Sequence, residues 1–344
     1  MMDRIDLSRG AGILQCQRTQ NPWPRDRDFR ILSIDGGGIK GLLPISLLAL
    51  LEERYAADGI GRYFDLIAGT STGGIIALGF GKGMTARDIR TLYAEHGGEV
   101  FPPLTLGRKL ASALLTRRDP AALRSMVDAT FQDVTMGMSL CRLCIPSLDA
   151  EFGGEIFVFK TPHHTDYRQD WKRRMSTVAL ATSAAPYYLR PHRDGWNEFL
   201  DGGVWANNPT RIAVIEALTA FDVPRDRIKV LSLGCVESRY SIGWLQRALG
   251  GIVFWAGNMI DAAAHTQSHN ALGEAGLLIG RHNILRLAGP HMADPIQLDD
   301  WRKAMRVLPS IAQRLFDEFG DQVATMFLGA PAAQYVPIYP SARL

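Results

Sequence analysis

The sequence predicts an α/β fold, and two strand, glycine turn, helix units carry that prediction. In the first, the branched apolar run Phe29-Arg-Ile-Leu-Ser-Ile34 breaks at Asp35-Gly36-Gly37-Gly38-Ile39-Lys40-Gly41, and Leu42 to Tyr55 resumes at helical spacing. In the second, Tyr63-Phe-Asp-Leu-Ile-Ala68 leads into Gly69-Thr70-Ser71-Thr72-Gly73, and Gly74-Ile-Ile-Ala-Leu78 leads out. Further short apolar runs at Glu155 to Phe159 and Lys229 to Gly234 read as additional strands.

Each corner suggests chemistry. Gly69 to Gly73 fits G-x-S-x-G, a sharp strand-to-helix turn that presents a serine; this makes Ser71 the candidate nucleophile, with an ordinary glycine-rich turn as the plain alternative. Gly36, Gly38 and Gly41 formally satisfy G-x-G-x-x-G. A dinucleotide site would want a carboxylate about 20 residues on at the end of a second strand. Glu52, Glu53 and Asp58 fall instead on or just after the helix, and Lys40 is followed by glycine rather than the Ser or Thr of a phosphate loop. The same physics serves another anion: amides at a helix N-terminus can hold the oxyanion of an acyl-transfer transition state.

The 38 basic and 35 acidic side chains leave a formal charge of +3, which disfavours a nucleic-acid polymer as partner. Cys16, Cys141, Cys144 and Cys235 are too few and scattered for a disulfide framework. With a polar N-terminus that reads as no signal peptide, they predict a cytoplasmic protein. The most apolar stretch, Ala248 to Ile260, is interrupted by Asn258 and falls short of the roughly 20 residues a membrane span needs.

Along the rest of the chain, residues 1–27 read as an N-terminal arm. Thr85 caps a helix running to His96. Leu104 to Leu115 sets Leu106, Leu110 and Leu114 at fourfold spacing beside Arg108 and Lys109, with Arg117 and Arg118 just beyond; this suits a packed helix with a solvated basic edge, or a lid or anionic lipid contact. Cys141-Arg-Leu-Cys144 has zinc-like spacing but no second ligand pair, since His163 and His164 are adjacent and remote, so two buried thiols are expected and no metal. Pro162 to Trp171 reads as a loop, Arg173 to Ala185 as a helix, and Thr210 to Ala220 as another. Between them, Glu198-Phe-Leu-Asp201 stops at Gly202-Gly203, presenting a carboxylate on a bend; alone it reads as an ordinary Asp-Gly turn. The last hundred residues read as largely helical, and no repeat or linker divides residues 28–344.

Together Asp35 to Gly41, Gly69 to Gly73, Ala181-Thr-Ser-Ala-Ala-Pro186, Asp201-Gly-Gly203 and Asn207-Asn-Pro209 resemble the signatures of the patatin-like phospholipases, in that family's order over residues 28–235. The resemblance implies a three-layer α/β/α sandwich with a mainly parallel central sheet and a helical C-terminal region over 236–344. It further implies Ser71 as nucleophile, Asp201 as general base, the Gly36, Gly37 and Gly38 amides as oxyanion hole, and no cofactor. A Ser-Asp-His triad is the rival, with His265, His269, His282 or His291 following in chain order. The run Tyr63 to Ala77 more narrowly resembles bacterial patatin-like effectors that are activated by cyclic dinucleotides in anti-phage defence. That implies a membrane phospholipid substrate met at the inner membrane face, a cyclic dinucleotide activator, and a homo-oligomer among the partners; His265 and His269, spaced i,i+4, read as a polar helix face or as elements of a regulatory site.

Overall fold

The computed structural model describes residues 19–102, 118–151, 154–236, 252–292 and 294–339, with the backbone alone over 252–264. At its centre lies β1 (Phe29–Ile34), flanked in parallel by β2 (Leu66–Gly69) and β7 (Ile228–Leu233). Outside these, β3 (Leu143–Asp149) runs parallel to β2 and β8 (Ile284–Leu287) parallel to β7. The far end of β3 outruns β2 and pairs antiparallel with β4 (Glu155–Lys160) and with β6 (Asn197–Asp201), which carries β5 (His192–Asp194) on its edge. The sheet is therefore mixed, with a parallel half, β3-β2-β1-β7-β8, and an antiparallel flap.

Alternation along the parallel strands divides the apolar side chains between two layers. Leu32 and Ile34 of β1 belong to one apolar cluster with residues of α1 (Leu42–Tyr55), α2 (Thr72–Lys82), α3 (Ala86–Val100), α4 (Ala121–Phe131), α5 (Met175–Thr182) and α9 (Trp301–Phe327). Phe29 and Ile31, on the opposite face, share a second apolar cluster with Ala213, Ala217 and Ala220 of α7 (Thr210–Ala220) and Ala275 of α8 (Ile252–Ile279). The helical turn α6 (Gly203–Ala206) follows β6 directly. This is the three-layer α/β/α arrangement expected from the sequence.

The predicted strand at Phe29–Ile34 and the helices Leu42–Tyr55 and Thr210–Ala220 lie where their periodicity put them. Thr85 caps α3 through a capping box with Asp88. The C-terminal region departs from the helical expectation: between α8 and α9 it contributes β8, an edge strand of the sheet. The helix α4, the strand β5 and the short turn α6 escaped the sequence pattern. From Asn21 onward the N-terminal arm is anchored, because Trp23 is buried against Phe29 and Phe221 at ring distances of 4.6 and 5.6 Å. Arg118 does not sit on a solvated basic edge but is buried. Cys141 and Cys144 are buried thiols, one in each apolar layer and so separated by the sheet. Cys16, Trp244 and the Leu104 to Leu115 segment lie outside the described residues, as do the side chains of Phe254, Trp255 and Met259. Among the described residues, no helix is long and apolar enough to cross a membrane.

Candidate active site

Ser71 is the second of the two residues between β2 and α2, at φ 55° and ψ −123°. A side chain there is strained, and the surroundings hold it. The Ser71 amide donates to Thr182 Oγ1 at 3.0 Å, and that hydroxyl donates to the Pro146 carbonyl at 2.6 Å. Thr70 donates through Oγ1 to the Ala206 carbonyl at 2.6 Å. The motif glycines let α2 descend onto the strand ends: a Cβ on Gly69 would stand 2.1 Å from the Gly73 carbonyl oxygen, and one on Gly73 would stand 2.3 Å from that of Ile34.

Strand register brings the carboxylate to the serine. Ala68 of β2 pairs with Cys144 of β3, and Ser147, three residues further along β3, pairs with Asp201. Ser71 is likewise three residues beyond Ala68, so both groups reach the same level past the end of β2. Ser71 Oγ donates to Asp201 Oδ2 at 2.7 Å, and the Gly203 amide donates to Oδ1 at 2.6 Å. The Asp201 amide is fixed to the Ala184 carbonyl at 3.0 Å. Gly202 lets the bend close against β3, since a Cβ there would meet the Pro146 carbonyl oxygen at 2.3 Å. Both members of the pair are buried. Burial pushes the Asp201 carboxyl up to about 6, against the opposing pull of the hydrogen bonds from Ser71 and Gly203.

The glycine loop leaves β1 beside this pair. The Thr70 amide donates to the Ile34 carbonyl at 3.2 Å, and a Cβ on Gly36 would sit 3.3 Å from Ser71 Cβ. The three glycines are not equivalent. Gly36 is corrected as an oxyanion donor: its amide is committed to the Asn207 carbonyl at 3.0 Å. The Gly37 and Gly38 amides donate to no group among the described residues, which leaves two adjacent donors at the start of the turn into α1. Gly38 takes φ +57°, and a Cβ there would lie 2.4 Å from the Leu298 carbonyl oxygen, so both its handedness and its packing require glycine. Gly41 ends the loop against Thr72 and Tyr93, and Lys40, half-buried, returns its amide to the Gly37 carbonyl at 3.1 Å.

Asp35, at the head of the loop, is a structural group. It forms a buried ion pair with Arg286 of β8, whose Nη1 also donates to Ser232 Oγ at 3.0 Å. The Asn207-Asn208 turn is held from α8, where Gln267 accepts from the Asn208 amide at 3.0 Å. The sequence reading missed both partners; the apolar run Ile284-Leu-Arg-Leu287 after Gly280 was the signal for the first. Neither Ser71 nor Asp201 bonds to a histidine among the described residues. His265 and His269 lie against each other along α8, with ring centroids 4.4 Å apart and the planes tilted by 44°, and His282 and His291 are exposed. No group of three or more His, Cys, Asp or Glu residues is placed to hold a metal among the described residues.

A serine hydroxyl bonded to a desolvated carboxylate, with two unpaired amides alongside, can transfer its proton on attacking a carbonyl and can receive the resulting oxyanion. Residues 32–214 match the family model described as patatin-like phospholipase. A Vibrio cholerae protein named cGAMP-activated phospholipase is 38% identical over 239 residues, covering 62% of this chain and 66% of that one. An Escherichia coli protein of the same name is 36% identical over 232 residues, 62% of this chain and 64% of its own length. A third, from Pseudomonas aeruginosa, is 30% identical over 308 residues, 89% of this chain and 91% of the relative. The match to the first two thus spans just under two thirds of their length.

Proposed function

Because the chain belongs to the patatin-like phospholipase family, we propose that it hydrolyses carboxylic esters of membrane glycerophospholipids, with Ser71 as nucleophile and Asp201 as its general base. Ser71 Oγ attacks the ester carbonyl as its proton passes to Asp201 Oδ2. The carbonyl oxygen becomes the oxyanion, received by the Gly37 and Gly38 amides. Collapse breaks the bond to the alcohol, which leaves with the proton from Asp201, and an acyl-serine remains. Water then attacks that ester, again losing its proton to Asp201, and fatty acid departs as Ser71 recovers its hydroxyl.

The observation that carries this reading is the 2.7 Å hydrogen bond between the buried side chains of Ser71 and Asp201. A carboxyl raised to about 6 is ionised at neutral pH yet more basic than an exposed aspartate, which suits a base acting without an imidazole. The same proposal includes control by a cyclic dinucleotide and a role as an anti-phage effector acting at the inner face of the cell membrane. Support for the control comes from relatives that carry the name cGAMP-activated phospholipase. An enzyme able to attack its host's own lipid needs such a switch.

The test is labelling by a fluorophosphonate probe, together with fatty-acid release from phospholipid vesicles, with and without a panel of cyclic di- and trinucleotides. Wild type should label and release fatty acid, and Ser71→Ala should do neither. A wild type that stays unlabelled under every condition overturns the hydrolase reading. Equal rates with and without every nucleotide overturn the switch alone.

A further inference from the structure

We infer that Arg118 is a positioning residue that sets the distance between the oxyanion loop and the Asp201 turn, an inference that rests on the hydrolase reading above. Its guanidinium is buried with Asp299: Nε and Nη2 donate to Asp299 Oδ2 at 3.1 and 2.7 Å, and Nη1 donates to the Pro102 carbonyl just beyond α3. On one side, Asp299 follows Leu298, whose carbonyl accepts from the Ile39 amide at 2.9 Å and covers Gly38 so closely that no Cβ would fit. On the other side, the Arg118 amide donates to the Tyr188 carbonyl at 2.8 Å, and the Tyr188 amide donates to the Ala185 carbonyl at 3.1 Å. Ala184, the preceding residue, supplies the carbonyl that holds the Asp201 amide at 3.0 Å. One residue therefore joins the strap over Gly38 to the segment from Ala184 to Tyr188 that holds the Asp201 amide.

The chemistry of the pair argues for geometry over stability. A buried ion pair recovers little more than its own desolvation cost, and well-packed apolar residues of similar volume commonly replace one without loss of stability. What an apolar pair cannot supply is direction. Arg118 fixes Asp299, and through it Leu298, by bonds of defined length and angle. The donors at Gly37 and Gly38 must meet an oxyanion that exists only in the transition state, and a misplacement of about 1 Å at such a site costs about 100-fold in rate.

The test compares wild type, the double variant Arg118→Met/Asp299→Leu, and Asp299→Asn, each with the cyclic nucleotide panel present. Readouts are the melting midpoint, the second-order rate of fluorophosphonate labelling, and kcat and KM on a soluble short-chain ester. The double variant should melt within a few degrees of wild type, yet lose about 10- to 100-fold in labelling rate and in kcat, with KM nearly unchanged. A merely structural pair predicts that activity returns with stability, so a stable double variant at wild-type kcat overturns the inference, as does a loss confined to KM. If the double variant fails to fold, the isosteric Asp299→Asn decides: a kcat loss in folded protein supports the positioning role, and wild-type kcat overturns it. A wild type that neither labels nor hydrolyses overturns the hydrolase reading itself, whereas an active wild type with an equally active double variant overturns only the role of Arg118.

Discussion

Arg286 grips both oxygens of Asp35, its Nη1 donating to Oδ1 at 2.9 Å and its Nη2 to Oδ2 at 2.6 Å. An edge strand near the C-terminal end of the chain thereby holds the first residue of the glycine loop. Both side chains are largely withdrawn from water, so neither charge can be removed alone without stranding the other. Arg286→Met should lower the unfolding free energy by about 3–5 kcal/mol, the usual cost of breaking a buried pair from one side. Urea denaturation at neutral pH measures it. A loss below about 1 kcal/mol would mean that water reaches Asp35.

Substitutions at the pair itself separate the two proposed roles, nucleophile and base. Ser71→Ala removes the attacking oxygen and should abolish fluorophosphonate labelling altogether. Asp201→Asn keeps the size and an acceptor for the Gly203 amide but can no longer take a proton, so ester hydrolysis should fall by about 10²- to 10⁴-fold. Steady-state rates on a soluble ester check both, and an Asp201→Asn variant with wild-type turnover would exclude that residue as the base.

The glycine corners give a steric contrast. At Gly73 a methyl group would stand 2.3 Å from the Ile34 carbonyl oxygen and 2.7 Å from that of Asp35, all backbone that cannot swing aside. Gly73→Ala should therefore cost at least about 3 kcal/mol, at or beyond the upper end for overpacking. Gly195, in the turn between β5 and β6, takes φ +62° with nothing within 4 Å of its added Cβ. Gly195→Ala should cost only the left-handed backbone penalty, about 1–2 kcal/mol. Equal melting shifts for the two would contradict the close approach of α2 to β1.

What could be read in the sequence was local. The elbow at Ser71 and the loop at Gly36 to Gly41 announce themselves because turn geometry depends on adjacent residues, and β1, α1 and α7 are long enough for their period to show. Asp201 read as an ordinary turn until set beside the other signatures, since its meaning comes from register with β3, a contact between segments some fifty residues apart. β5 and β8, at three and four residues, are too short to display alternation. Arg118 was legible as a charge but not as a buried one, because its partner Asp299 lies 181 positions away. Gly36 failed as a donor for the same reason: nothing near it in the chain reveals that Asn207 takes its amide.

The Asp201 carboxyl makes activity and stability respond to pH in opposite directions. Its raised value, about 6, means that the protonated form prevails below that pH and cannot accept the serine proton. The rate constant kcat/KM should therefore fall about tenfold per pH unit below about 6 and level off above it. For stability the sign reverses. A carboxyl raised on folding favours the folded state in its protonated form, a contribution fully present below its unfolded value and lost as pH rises through about 6. The shift of roughly two units amounts to about 3 kcal/mol at neutral pH, against folding. Asp201→Asn removes that penalty while keeping the shape, so the inactive variant should be more stable than wild type by up to about 3 kcal/mol at pH 8, and the gap should narrow through pH 6 and close near pH 4. Urea unfolding of both proteins at these three pH values decides it, and a difference that does not change with pH would show that Asp201 is not held above its ordinary range.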